Sequence, residues 1–256
     1  MTIPKMHPLA EMTLAVQFAA PQTFPPQAAV DLWNASRAEY PLLELMPRID
    51  QLGGGEIQIF QSSELALRPR YWFASESSEF LRQMQDDLVA CNWRRLVGPT
   101  EPPAVPYPGF VEMRKRFDGT MAAWLQAGKV APDAPVGVCS LLYDNIFAMS
   151  EGAGFADIFT FWQRLGVSGR QGGPELKWTV MLEDDIAGPN ARIEIIASQG
   201  QVLGERMQHA ARLHMAAFGH PGTAEGVGPA FESLHRECTR FFDLLIVKET
   251  RERWDV

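Results

Sequence analysis

Five prolines lie within the segment from Gly98 to Pro108, near the middle of this 256-residue chain. Proline has no backbone N–H and a fixed φ angle, so neither a helix nor a central strand can pass through such a segment. We therefore predict a semi-rigid loop here. Because regular elements are confined to the stretches before and after this loop, their order on each side decides the fold.

Before the loop, Met12, Leu14, Val16 and Phe18 alternate with small or polar residues, which predicts a strand. A helix is predicted just after Pro26. Its apolar side would extend to Leu42, Leu43 and Leu45, although Pro41 must kink or end it. Gly53 to Gly55 would turn into further strands at 56–61 and 65–75.

The stretch Glu79 to Arg95 fits two patterns. Its apolar residues form a helical stripe, and they equally fit two strands that meet at an Asp86–Asp87 turn. Periodicity alone does not choose between a helix and a hairpin.

After the loop, the pattern predicts a helix from Pro108 to Gln126, with Gly128 at its end. Alternation and helical spacing then predict the remaining elements in this order: strand Val136–Met149, helix Phe155–Leu165, strands Glu175–Glu183, Arg192–Ser198 and Glu205–Phe218, and a helix from Pro229 to Val247.

Residues 1–128 and 129–256 therefore each have the order strand, helix, several strands, helix. This order predicts an α+β fold in which two tandem units form one curved antiparallel sheet, with helices on one face and the other face free. The TATA-box-binding protein has the same order of elements, but a shared fold does not imply a shared function.

Composition limits the function further. The net charge of −8 argues against binding to nucleic acid, which normally requires a basic surface. The three cysteines form no CxxC pair, and no apolar run is long enough to cross a membrane. Glu11 lies where a signal peptide would have its apolar segment. These features predict a cytoplasmic protein.

Several motifs, in this order, resemble those of one bacterial protein family: PLAEMTLAVQF, RYWFASES, LVACNWRR, YPGFVEMRKRF, LLYDNIF and FFDLLIVKETRERW. The family is sporadically distributed, its members have about 250 residues, and no activity is assigned to it. The most specific segments are Asn92-Trp93-Arg94 and Tyr143-Asp144-Asn145. The resemblance implies the hairpin at Glu79 to Arg95 and supplies no catalytic residues.

Two segments suggest chemistry but have a simpler interpretation. The glycine-rich segment 166–174 follows a predicted helix and precedes a strand, which is the reverse of a phosphate-binding loop. We predict a connector there. The acidic residues Asp86-Asp87 and Glu183-Asp184-Asp185 occur where strands should turn, so exposed turn residues are expected.

Histidine and cysteine also fail to form a metal or nucleophile motif. His209 and His214 are five residues apart and would face different directions. Glu232 and His235 form a Glu-x-x-His pattern. It occurs only once, and a di-iron site needs it twice. Cys238 lies one turn beyond His235, but the pair has no visible third partner. The sequence predicts neither a cofactor nor a metal, and it favours a non-catalytic function.

The segment Arg70 to Arg95 offers a better candidate surface. As strands, it would place Arg70 and Trp72 together, and Asn92 and Arg94 together, on a free sheet face, with Trp93 in the core. Such side chains can hold a carboxylate, a phosphate or an aromatic group by forked hydrogen bonds and stacking. The alternative is that the arginines are solvated and pair with carboxylates. The candidate ligand- or partner-binding residues are Arg70, Trp72, Asn92, Arg94, Tyr143, Asn145, Arg206, Arg212 and His214.

Two functions remain open. The first is a non-catalytic accessory protein, such as an immunity, antitoxin-like or regulatory module, that holds a protein partner on the polar sheet face. The alternative is a small-molecule sensor or enzyme with a pocket between the two halves. The aromatic and methionine-rich helices also fit a homodimer interface. Nucleic-acid binding ranks last because of the charge.

Overall fold

The computed structural model describes residues 7–49, 51–52, 69–131, 133–149, 153–161, 175–202 and 208–254. The strands are β1 (Leu9–Phe18), β2 (Leu42–Met46), β3 (Arg70–Ala74), β4 (Phe80–Met84), β5 (Leu88–Arg94), β6 (Pro135–Ala148), β7 (Leu176–Met181), β8 (Arg192–Val202), β9 (Gln208–Gly219) and β10 (Gly222–Thr223). The helices are α1 (Pro26–Ser36), α2 (Phe110–Gly128), α3 (Val227–Leu245) and α4 (Lys248–Trp254).

The ten strands found among the described residues belong to one antiparallel sheet in the order β2-β3-β4-β5-β1-β6-β9-β8-β7, and the short β10 pairs with β6. The first strand of each predicted half, β1 and β6, pair with each other at the centre. This pairing makes the two halves one sheet. The predicted α+β class with an antiparallel sheet is confirmed.

Helices α2 and α3 pack on one face of this sheet, which we call the helix face. The apolar residues of α2 are spaced three or four apart, and Met113, Phe117 and Trp124 among them are buried. In α3, Phe231 and Leu234 are buried. Together with inward residues of the strands they form the main core. Trp93 lies in that core with no exposed surface, as predicted.

The sequence predicted that the other face of the sheet, which we call the outer face, is free. In the structure it is partly covered. Ile49 and Leu52, which follow β2, pack against apolar residues of this face. Leu88 and Ala90 of β5 are consequently buried there. The alternation of β5 predicted which residues share this face, but it carried no information about the segment after β2 that covers it.

The hairpin at Glu79 to Arg95 is confirmed, since β4 and β5 pair across Gln85 to Asp87. The prediction that Leu42, Leu43 and Leu45 extend a helix is wrong. The first helix ends at Ser36, and the three leucines lie in the strand β2. Pro41 separates the two elements because it cannot supply the backbone N–H that a continuing helix requires.

The predicted helix Phe155–Leu165 begins instead as a single 3-10 turn, Phe155–Asp157. Its end lies outside the described residues. So do the predicted strand 56–61, residues 65–68 of the next strand, the glycine-rich segment 166–174 and residues 205–207. None of the described helices is long and apolar enough to cross a membrane.

Candidate functional site

A cavity of about 540 Å³ lies on the helix face, between the sheet, α3 and the start of α2. Val111, Thr239 and Asp243 are exposed at its rim, whereas Leu9, Asn145 and Met215 are buried at its floor. The remaining lining residues are His7, Tyr107, Pro108, Gly109, Phe110, Tyr143, His235, Cys238 and Phe242. Residues of both halves therefore enclose it.

The proline-rich loop positions one wall of the cavity. It ends at Gly109, whose φ of +88° suits glycine, and α2 begins at the next residue. Phe110 then stacks on the His235 ring of α3, with ring centroids 3.9 Å apart and an interplanar angle of 11°. Tyr107, in the loop itself, packs against Trp93 of β5, with ring centroids 5.3 Å apart. Loop, sheet and α3 are thus joined by aromatic contacts.

Three polar side chains meet in this mainly apolar wall. The Tyr143 hydroxyl lies 2.8 Å from His235 Nδ1, and the nearby Tyr107 phenol interacts with it electrostatically. Burial raises the pKa of Tyr107 to about 12, and it raises the pKa of Tyr143 with a further contribution from the nearby Tyr107. Both phenols are therefore protonated near neutral pH.

Burial has the opposite effect on histidine, because it disfavours the charged form. It lowers the pKa of His235 from the ordinary value of 6.5, and the exposed Glu232 only partly opposes this. His235 is therefore neutral at pH 7. Neutral hydroxyl and imidazole groups on apolar walls suit the binding of an uncharged polar group, and neither phenol is poised to give up a proton.

The outer face carries a second arrangement of polar groups, which we call the polar row. Arg70 Nη1 and Trp72 Nε1 both donate to Gln83 Oε1, at 2.8 and 3.0 Å. Gln83 Nε2 donates to Asn92 Oδ1 at 2.6 Å. Asn92 Nδ2 in turn donates to Glu11 Oε1 at 2.7 Å. The row thus crosses β3, β4, β5 and β1.

The row continues into the second half. Asp144 lies opposite Glu11 in the pairing of β1 with β6, and His214 lies opposite Asp144 on β9. Arg212 Nε donates to Asp144 Oδ1 at 2.7 Å, and His214 Nδ1 is 3.8 Å from the same oxygen. Burial alone would raise the pKa of Asp144, but His214 and Arg212 outweigh it and lower the pKa.

The predicted site residues therefore separate into two groups. Tyr143 and Asn145 line the cavity on the helix face, and six others belong to the polar row or its edge. These six are Arg70, Trp72, Asn92, Arg94, Arg212 and His214. Arg206 lies outside the described residues.

Tyr107 and His235 were not predicted from the sequence to form a site with Tyr143. Tyr107, Tyr143 and His235 come from a loop, a strand and a helix that are far apart in the chain, so no local spacing connects them. The available signal was that the proline-rich loop carries Tyr107 close to its end, shortly before a helix that begins with the aromatic Phe110.

One sequence interpretation needs correction. Asp87 is not an exposed turn residue: it is buried and accepts a hydrogen bond from Arg48 Nη2 at 2.7 Å. Cys238 is fully buried, and burial raises the pKa of its thiol to about 12, so it does not form a thiolate pair with His235. Among the described residues, no group of three or more His, Cys, Asp or Glu side chains could hold a metal ion.

Comparisons with protein-family models, curated proteins and solved structures find no match to this chain. The resemblance to a bacterial family therefore stays a prediction, and the site has to be interpreted from its own geometry.

Proposed function

We propose that this protein binds a small, uncharged, mainly apolar molecule in the cavity between its two halves. The observation that supports this proposal is the cavity of about 540 Å³ with the Tyr107, Tyr143 and His235 groups in its wall. Small-molecule pockets usually have volumes of roughly 300–1,000 Å³, apolar walls and a few polar groups that orient the ligand. The proposed role is that of a sensor or carrier.

The ligand class follows from the wall. Phe110, Phe242, Leu9 and Met215 supply apolar contacts along the length of the cavity. Among the described residues that line the cavity there is no lysine or arginine, so a carboxylate would lose its hydration without compensation from them. An aromatic or aliphatic molecule with one hydroxyl, carbonyl or amide group fits these contacts best.

A screen of phenols, aromatic amides and short-chain alcohols by ligand-observed NMR tests the proposal. Tryptophan at the exposed rim position Thr239 should obstruct the entrance without disturbing the core, so Thr239→Trp should lose the binding. Leu244→Trp is the matched control, because Leu244 is an exposed residue of α3 that does not line the cavity. The proposal would be refuted if a compound of the screen bound equally to the wild type, Thr239→Trp and Leu244→Trp, or if no compound bound to any of the three proteins.

A second candidate is the sequence-based hypothesis of a non-catalytic, cytoplasmic accessory protein with a protein partner on the polar sheet face. The half-buried Arg94 and Trp72 and the exposed Arg212 favour it. Most other members of the polar row, however, are buried and bond to one another. We rank it second, and pull-down with the Arg94→Met variant against wild type would test it.

We also propose that the two halves are structural repeats in the order of the TATA-box-binding protein. The support is the strand order: β1 is followed outward by β5, β4 and β3, and β6 is followed outward by β9, β8 and β7. In each half the first strand lies at the centre and the last long strand lies beside it. A superposition of the two halves in an experimental structure would test this proposal.

A further inference from the structure

Two arginines at one end of the polar row have no anionic partner among the residues that the structure describes. Within the described part of the chain, no carboxylate oxygen lies within 4.0 Å of a guanidinium nitrogen of Arg70 or Arg94. Arg70 makes one side-chain hydrogen bond, from Nη1 to Gln83, and Arg94 makes one, from Nε to the Ser78 carbonyl oxygen. A guanidinium group has five N–H donors, so most of their donors are unused.

This situation is unusual in a protein with 31 acidic and 23 basic residues. Nine other described arginines each form an ion pair with a carboxylate: Arg48, Arg82, Arg114, Arg116, Arg192, Arg212, Arg236, Arg240 and Arg251. Two further arginines lack one, but Arg37 is exposed and Arg95 donates to two backbone carbonyl oxygens.

Both guanidinium groups lie close to the same indole ring. The Arg70 and Arg94 Cζ atoms are 5.2 and 5.5 Å from the centroid of Trp72. A ring of this kind attracts a cation and orients it, but it does not neutralise the charge as a carboxylate would. Arg94 adopts this position although Glu11 lies opposite it in the pairing of β1 with β5. Glu11 instead accepts hydrogen bonds from Asn92 and Thr13.

Burial makes the missing anion more significant. Arg70 has only 7% of its surface exposed, and burial lowers its pKa to about 10. A charge that is removed from water without a partner is costly, so buried charges in proteins are normally paired. An anion bound to Arg70 would offset this cost.

We propose that Arg70, Trp72 and Arg94 form a binding site for an oxyanion, a carboxylate or phosphate group of a ligand. The planar guanidinium fork matches the two oxygens of either group. The site lies on the outer face, so it is separate from the cavity on the helix face and does not depend on the function proposed for it.

Isothermal titration of the full-length protein with inorganic phosphate and, separately, with acetate tests the site, at an ionic strength held constant with chloride. We expect one of the two anions to bind to the wild-type protein. Arg94→Met should weaken that binding about tenfold or more, because it removes one of the two charges. Arg94→Lys should give an intermediate affinity, since it keeps the charge but loses the fork.

Arg37→Met is the matched control. Arg37 also lies over a tryptophan ring, 4.7 Å from the Trp33 centroid, but it is a single exposed cation. The Arg37→Met variant should bind the anion as the wild type does, and so should the cavity variant Thr239→Trp. Preference for phosphate would indicate a phosphorylated ligand, and preference for acetate a carboxylic acid. The proposal is overturned if neither anion binds, or if Arg94→Met binds as well as the wild type or Arg37→Met.

Discussion

At the scale of single residues, His235 connects the packing of the protein to its proposed ligand site. Its ring stacks on Phe110, and its Nδ1 atom meets the Tyr143 hydroxyl. Both contacts suit the neutral imidazole, and burial accordingly lowers its pKa. A proton on His235 would place a cation against an apolar wall, with Glu232 as an exposed, weakly compensating carboxylate.

This arrangement predicts a pH dependence. Because the unfolded chain has the ordinary histidine pKa of 6.5 and the folded state a lower one, the unfolded state binds more protons between the two values. The free energy of unfolding should therefore fall as the pH is lowered from 6.5 towards the folded-state pKa. Urea unfolding at several pH values measures it.

The His235→Gln variant isolates this effect from the other histidines, since glutamine does not titrate but still offers hydrogen-bonding groups to Tyr143. Its unfolding free energy should change less than that of the wild type over the same pH range. Identical pH profiles for the two proteins would contradict the account of His235.

At the scale of elements, the C-cap residue that follows α2 has a backbone conformation that is unfavourable for its residue type. Lys129 has a φ of +50°, in the left-handed region, and its backbone N–H caps the helix at Gln126. Only glycine adopts this conformation without steric cost. We predict that Lys129→Gly stabilises the protein by up to about 1 kcal/mol.

A glycine within the same helix provides the control. Ala122→Gly, at an exposed position of α2, should destabilise the protein by about 1 kcal/mol, because glycine loses more backbone freedom there. Thermal unfolding of both variants measures the two effects. A loss of stability in Lys129→Gly would show that the lysine side chain contributes more than the backbone strain costs.

The elements also show what the sequence could and could not predict. Alternation predicted β1 and β6, and helical spacing predicted α2 and α3, because each of these elements presents a row of apolar residues to the core. Periodicity left β5 undecided, because all of its residues except Arg94 are buried, on both faces of the sheet. The strand β2 was missed because its leucines do not alternate and follow a helical stretch. The sequence offered a pocket between the halves as an alternative and named Tyr143 and Asn145, but it missed the other lining residues because tertiary packing, which leaves no local pattern, brings the walls together.

At the scale of the whole molecule, the pairing of β1 with β6 makes the two halves depend on each other. Nine residue pairs in register join these two central strands, and both contribute to one core beneath α2 and α3. Separation of the halves would expose two central strand edges and the apolar residues of that core. We therefore expect the halves to unfold together.

Native-state hydrogen exchange tests this cooperativity. Amides of β5 in the first half and of β9 in the second half should exchange through one common opening, with the same dependence on denaturant. If β5 opened at a clearly lower free energy than β9, the halves would be independent units.

The central claim is that the cavity on the helix face binds a small molecule, and side-chain amide resonances test it most directly. Asn145 lies at the cavity floor, whereas Gln83 belongs to the polar row on the outer face. On titration with a fragment from the screen, the Asn145 side-chain amide signals should shift and those of Gln83 should not. Fragments that shift Gln83 and leave Asn145 unchanged would contradict the claim.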